Sequence, residues 1–552
     1  MVVRNAKITT MDSLHPRAYV VAIKDGKFLA IGNEEIVSRF KGDSTQIIDA
    51  GGRRMIPGLT DVHIHLISYG ATFNREIRWD GLKKLSDGLA MIEEQAKRTP
   101  AGEWVRVLGG WSPYQFEEKR LPTPVDLEKI APNTPVMVTH LWDRVILNKA
   151  GLKALKIDRN TPNPDGGIIE KDAQGNPTGI LLALWDWGVI LNAIGKLPPP
   201  VSVAETMSST QQYMRTLNSF GITGLIDGGA GAYPDNYGAI SNLAKENKMT
   251  LRVAGTLYPT IGANEAQQFD NWLSTVKAYS EDPFYRIIGA GEILSYGSFD
   301  MTNFEQARPE LAQLENSLRP ILTNVIQKGW SFRLHAAYDQ TITRILNVIE
   351  EISKKTPLKQ RWSIDHAETI SDLNIDRIKK LGGGITVQDR IYFQGEEFIA
   401  KYGKTEAMKE VTPVKKMLEK GVHVGFGTDA MRIASYNPWI TPYLYVTGKT
   451  ITGKQLLPAN ELLDREQALR LFTMGSVWFS GDEKLKGSIS EGKFADFSLL
   501  SADYFSIPDE EIKNLKSVLT VVNGKVVYGE GAYSKISPKA PAVLPKWSYY
   551  NR

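Results

Sequence analysis

The chain has 552 residues, 42% hydrophobic and 23% charged, with 48 Gly and 28 Pro; it is too long for one small core, so a large domain with at least one satellite is expected. A formal net charge of +4, spread without any lysine or arginine block, argues against a nucleic-acid partner. The absence of cysteine excludes disulfides, thiolate metal ligands and a cysteine nucleophile, leaving histidine and carboxylates to hold a metal.

In chain order, Met1-Val-Val-Arg4 reads as the start of a strand rather than as a signal peptide, and a cytoplasmic or an exported soluble protein fits the composition equally. Ala18–Ile23, Lys27–Ile31 and Gln46–Asp49 read as short strands, with turn chemistry at Asp25-Gly26. Next comes the run Met55-Ile-Pro-Gly-Leu-Thr-Asp-Val-His-Ile-His-Leu66. A strand puts residues i and i+2 on one face, so His63 and His65 emerge side by side while Val62, Ile64 and Leu66 turn into apolar packing. That is half of a metal site.

A long stretch with its own strands, Trp104–Leu108 and Pro135–Leu141, and Pro- and Gly-rich loops around Asn160–Gly167 follows this first strand. The apolar run Gly179–Gly195 is broken by Asp186 and Asn192 and is shorter than the ~20 residues that span a bilayer, so it reads as a buried helix and not as a membrane segment. From there on, strand and helix alternate, which predicts a parallel sheet with crossover helices. The expected strands are Thr60–His65, Thr223–Asp227, Leu251–Leu257, Ile287–Glu292, Ser331–His335, Trp362–His366, Gly384–Gln388 and His423–Thr428. Apolar residues recur at intervals of three and four in Gln211–Phe220, Glu310–Lys328, Thr341–Lys354 and Asp372–Leu381, as helices require. Eight such strands predict an α/β fold, a (β/α)₈ TIM-like barrel. His335, His366 and Asp429 then fall at strand ends, where a parallel barrel keeps its chemistry. Phe497–Leu500, Ser517–Val522, an Asn523-Gly524 turn and Lys525–Tyr528 close the chain as strands. The expected domains are a β-sandwich from both termini (1–58 and 482–540), the barrel (59–66 and 206–481), and an insertion over its mouth (67–205).

The chain resembles the amidohydrolase superfamily of metal-dependent hydrolases, in particular the large-insertion branch that includes N-substituted formamide deformylases. The resemblance rests on Ile56-Pro-Gly-Leu-Thr-Asp-Val-His-Ile-His65, Gly110-Trp-Ser112, Asp165-Gly-Gly-Ile168, Gly175-Asn-Pro-Thr-Gly179, Gly221-Ile-Thr-Gly224, His335, His366 and Asp429, and covers nearly the whole chain. It implies that His63 and His65 bind one metal with Asp429, and that His335 and His366 hold a second. The cofactor is then one or two divalent ions, with Zn²⁺ the default for such ligands. Glu292 stands where many relatives carry a carboxylated lysine and would bridge two ions; a Glu292 paired instead with a barrel Arg or Lys would leave a single-metal site.

The implied reaction is hydrolysis of a C–N bond in an amide, N-formyl or N-acyl small molecule by metal-activated water, with Asp429 passing the proton to the departing amine. A deaminase, an esterase or lactonase, a decarboxylase and a non-catalytic scaffold are the alternatives. Ring deaminases of the superfamily carry a glutamate three residues after the fifth-strand histidine, and Tyr338 stands there instead. Trp111, Tyr114 and Trp142 are candidate walls of the substrate pocket. Asp143 and Arg144 replace a histidine common in the family, while His15, His140 and His423 read as structural. Gly228-Gly-Ala-Gly231 reads as a flexible turn. Oligomeric state is open, a homo-oligomer included.

Overall fold

The computed structural model describes residues 1–184, 188–300 and 311–551. Its centre is an eight-stranded, all-parallel sheet running in sequence order from β1 to β8. The strands are β1 (Leu59–Ile64), β2 (Ile222–Asp227), β3 (Arg252–Leu257), β4 (Tyr285–Ala290), β5 (Ser331–Tyr338), β6 (Trp362–Thr369), β7 (Gly384–Val387) and β8 (His423–Phe426). The two end strands are drawn together at the catalytic rim, where the Asp429 amide donates to the His63 carbonyl (2.8 Å) and the His65 amide to the Ala430 carbonyl (3.1 Å). The sheet thus curls into a nearly closed TIM-like barrel.

Helices cover the outside with the predicted periodicity. In Asp339–Ser353 the buried positions Ile342, Ile345, Leu346, Ile349 and Ile352 form one stripe against the sheet. The expected helix Glu310–Lys328 is observed as Leu314–Gln327; position 310 lies outside the described residues. At the termini, one four-stranded sheet comes from the N-terminal stretch alone, and a six-stranded sheet joins three N-terminal strands to Phe497–Leu500, Ser517–Val522 and Lys525–Gly529, with Phe497–Leu499 pairing Met55–Pro57. The two share a core that includes Val3, Val21, Phe28, Met55, Phe497 and Leu519. Asp25-Gly26 and Asn523-Gly524 all have positive φ, as a two-residue hairpin turn of the primed type requires. The two turns touch, since a Cβ on Gly26 would sit 2.6 Å from the Asn523 side chain.

The insertion carries its own six-stranded sheet, from Glu76–Ile77 to Pro177–Ala183. The run Gly179–Gly195 is not one buried helix. Its first part continues the strand Pro177–Ala183, whose alternating burial matches a sheet pairing with Arg144–Ile146, and its last part is the helix Gly188–Gly195. Asp186, one of its two expected breaks, lies outside the described residues. Among the described residues no helix is long and apolar enough to cross a membrane. Residues 541–551 run back over the insertion, held by Gln212 on the Pro541 carbonyl (2.6 Å), Asn74 on Leu544 (3.0 Å) and Gln95 on Trp547 (3.1 Å).

Candidate active site

All six predicted ligand residues meet at the rim of the barrel, buried. The β1 imidazoles lie with ring centres 5.3 Å apart, His366 is 4.9 Å from His63, and His335 is 4.3 Å from His366. Glu292, just past β4, sits among them. Its Oε1 is 3.2 Å from His65 Nε2, and its Oε2 is 3.4 Å from His335 Nδ1, 3.3 Å from His366 Nε2 and 3.5 Å from His63 Nε2. Asp429 Oδ1 faces His65 Nε2 at 3.3 Å and His63 Nε2 at 3.6 Å.

Three of the four rings contact partners behind the site, while His366 Nδ1 is buried without a hydrogen-bond partner. His63 Nδ1 lies between Asp365 Oδ2 (3.1 Å) and Arg333 Nη2 (2.9 Å), His335 Nε2 is 2.7 Å from the Asp300 carbonyl, and His65 Nδ1 faces the Gly229 carbonyl (3.4 Å). Asp365 is itself held by Arg333, Ser363 and Thr386, and Asp300 by the amides of Ala337 and Tyr338. The backbone is over-determined too. His366 (φ 78°) and Asp429 (φ 56°) occupy the left-handed region, which costs a non-glycine residue roughly 1–3 kcal/mol and persists only where surroundings enforce it.

The charges favour a cation. Burial would lower His63 and His335, yet Glu292 and Asp365 raise the first to about 9, and Asp300 and Glu292 raise the second to about 10. Against the burial that would raise them, the surrounding imidazoles hold Glu292 and Asp429 well below the usual carboxylate range. A field that binds protons so firmly also attracts a metal ion. His63 Nε2 is buried without a hydrogen-bond partner and faces both carboxylates. His63, His65 and Asp429 form one group, and His63, Glu292 and His366 another, in which the donor atoms all lie within 4.8 Å of each other. These donors fit a divalent metal.

A cavity of about 320 Å³ opens above them. Leu141, Trp142, Leu191 and Ile194 of the insertion contribute to its wall, with Tyr69 from the short helix Leu66–Gly70 after β1 and Tyr258, Ile293 and Phe299 from the segments after β3 and β4. Of the three candidate wall residues only Trp142 lines this cavity. Trp111 is packed in the insertion's core against Trp79 and Phe116, with its indole N–H on the Thr139 carbonyl (3.1 Å), and Tyr114 belongs to the short turn Pro113–Gln115. Ser112, next to Trp111, caps the short turn Pro113–Gln115.

His140 is held by Asp143 (2.7 Å), which also accepts from Arg144 (2.7 Å). His423 stacks on Trp478 at 4.0 Å, and His15 is exposed. Tyr338 is buried and does not line the cavity. The segment Gly228–Gly231 is not a free turn: a Cβ on Gly228 would sit 2.8 Å from the His65 ring, so the glycine permits the close approach that seats this imidazole. Missed in the sequence were Asp300, Arg333 and Asp365 behind the histidines, and the cavity residues Arg390 and Arg432. Asp365, adjacent to His366 in a polar-rich strand, is the one that left a legible trace.

Known proteins resemble this chain over nearly its whole length. The chain is 29% identical to the putative amidohydrolase YtcJ of Bacillus subtilis over 94% of its own length and 98% of that protein's. It is 24% identical to an N-substituted formamide deformylase of Arthrobacter pascens over 96% and 98%. A metal-dependent hydrolase of Pyrococcus horikoshii shares the fold, with a TM-score of 0.67 at 20% identity over 92% of this chain and 99% of that one. The amidohydrolase family profile matches residues 46–528, and the chain accordingly belongs to the amidohydrolase family, metal-dependent hydrolases acting on carbon–nitrogen bonds.

Proposed function

We propose that the chain hydrolyses the C–N bond of an amide, N-formyl or N-acyl small molecule, with Asp429 as the proton-transferring group and His63, His65, Glu292, His335, His366 and Asp429 as ligands of one or two zinc ions. The observation that carries this is the convergence of those six side chains beneath a largely apolar cavity, with His63 and His335 each contacting a partner behind the site. A divalent ion bound there supplies Lewis acidity, bringing the pKa of water toward ~7 and polarising the substrate carbonyl.

The protein's own part is positioning and proton transfer. Asp429 is ionised at neutral pH, because burial, which would raise it, is outweighed by His63 and His65. Its Oδ1 is turned to those two imidazoles, so Oδ2 is the atom that takes the proton of the attacking water and returns it to the leaving nitrogen. Arg390 Nη2, 3.2 Å from Oδ2, holds the carboxylate in that orientation. The apolar walls exclude bulk water and seat the organic part of the substrate. Tyr338, away from the cavity, offers no replacement for the glutamate of a ring deaminase.

A panel of N-formyl amines, N-acyl amino acids, cyclic amides and simple esters, assayed by released amine or acid, is expected to show amide cleavage; turnover confined to esters would overturn the assignment. Glu292 touches both groups of ligands, so Glu292→Gln is expected to lower bound metal from two ions to one, read by elemental analysis; an unchanged content would remove its bridging role. Asp365→Ala, which frees the His63 ring, is expected to weaken metal affinity about 10- to 100-fold in a competition titration with a chelator.

A further inference from the structure

Tyr69 is held on two sides and yet has an idle hydroxyl. It belongs to the short helix Leu66–Gly70, where its amide donates to the His65 carbonyl (3.2 Å), and its ring lies 5.6 Å from the His65 imidazole at an angle of 59°. The Arg432 guanidinium sits 4.4 Å from the centre of the ring, and is itself braced by the Leu108 carbonyl (3.2 Å) and by Glu76 (3.5 Å). These contacts keep the ring in one place. Among the described residues the phenol oxygen has no hydrogen-bond partner, and it is not enclosed by protein: Tyr69 lines the cavity.

Several neighbouring donors are already engaged: Ser68 bonds the Gly229 carbonyl (3.5 Å), Asn236 the Gly231 carbonyl (2.7 Å) and Tyr296 the Pro259 carbonyl (3.2 Å). Tyr258 and Gln394 also line the cavity without a hydrogen-bond partner among the described residues, but of these three free groups it is Tyr69 whose ring lies against a ligand imidazole. A donor held still in a wall that excludes water costs no reorganisation when charge develops in front of it. The cation over the ring face is attracted by the π electrons and, by drawing on them, strengthens the O–H as a donor. Granted the C–N hydrolysis proposed above, we propose that Tyr69 is a catalytic residue, its O–H donating to the acyl oxygen of the substrate and stabilising the negative charge that gathers there in the tetrahedral intermediate. Water adds its oxygen to the acyl carbon as the C=O π pair withdraws onto the acyl oxygen. That pair then returns, the C–N bond breaks, and the nitrogen leaves with the proton that Asp429 took from the water, giving a carboxylic acid and an amine. Tyr69 keeps its own proton throughout, since burial raises its pKa further above the neutral range.

The test is Tyr69→Phe, which removes only the hydroxyl, beside Tyr258→Phe, on the zinc-loaded full chain with an amide cleaved in the panel above. Tyr69→Phe is expected to lower kcat about 10²–10³-fold, the loss associated with one oxyanion donor, while KM and metal content stay close to wild type. Tyr258→Phe should lower kcat far less. A kcat changed less than about threefold in Tyr69→Phe, a loss that falls on KM alone, or a loss matched by lost metal would overturn the role, as would a larger kcat loss in Tyr258→Phe. If no amide in the panel is cleaved, methyl benzylphosphonate, a tetrahedral anion, reads the donor without turnover. Calorimetric binding at least about tenfold weaker to zinc-loaded Tyr69→Phe than to wild type would support the donor while the amide reading fell, because a mimic of the intermediate feels a group that acts on it. Equal affinities, or no binding to either, would overturn it. Thermal melting establishes that both variants are folded.

Discussion

Asp429→Asn is expected to lower kcat by about 10²–10⁴-fold while leaving most of the metal bound, the loss associated with removing a positioned general acid–base group. The amide keeps the size of the carboxylate and an oxygen to turn toward His63 and His65, but it cannot accept a proton from water. The backbone hydrogen bond from the Asp429 amide to the His63 carbonyl is unaffected by the exchange, while the Arg390 contact to Oδ2 loses its charge partner. Elemental analysis and steady-state kinetics on the same preparation separate the two roles. Loss of metal in proportion to activity would make Asp429 a ligand only, and an unchanged kcat would remove it from the reaction.

Stripping the metal with a chelator is expected to abolish turnover and to lower thermal stability, both restored by adding zinc back. A ligand that binds only the folded chain stabilises it by about 4 kcal/mol when present at 1,000 times its Kd. Burial here concentrates carboxylates: Asp389 is driven well above the ordinary range by burial and by its neighbours Asp61 and Asp429, and burial raises Asp61 to about 6. A cation offsets that repulsion, so the chelated protein should melt earlier in a calorimetric scan. Full activity after exhaustive chelation, verified by elemental analysis, would exclude a metal role in the reaction.

How much of this was legible in the sequence depends on the range of the forces involved. Strand periodicity is local, so the pairing of His63 with His65 on one face could be read from a few residues, and the eight barrel strands emerged within a few positions of their observed limits. The sandwich hairpins were equally legible, since Asp25-Gly26 and Asn523-Gly524 state their backbone conformation chemically. Trp111 was misjudged because an apolar residue looks the same whether it faces a cavity or a core, and Gly179–Gly195 because a short apolar run reads equally as a buried helix or a strand. Only the insertion's sheet, with Trp79 and Phe116 behind Trp111 and the ladder to Arg144–Ile146, decides between them.

The sequence by itself determined the kind of chemistry: a cysteine-free chain with four histidines and an aspartate at the ends of barrel strands has nitrogen and oxygen ligands and one rim on which to gather them. Tertiary structure alone decided how those ligands are used. It turned Glu292 toward both groups of imidazoles, set Asp365 and Asp300 behind the rings, and brought Arg390, at the start of a helix, and Arg432, in the loop after β8, into the cavity wall. The reason is physical: ligand type is a property of one side chain, whereas tautomer, charge state and unpaired donors are properties of what surrounds it after the chain has closed.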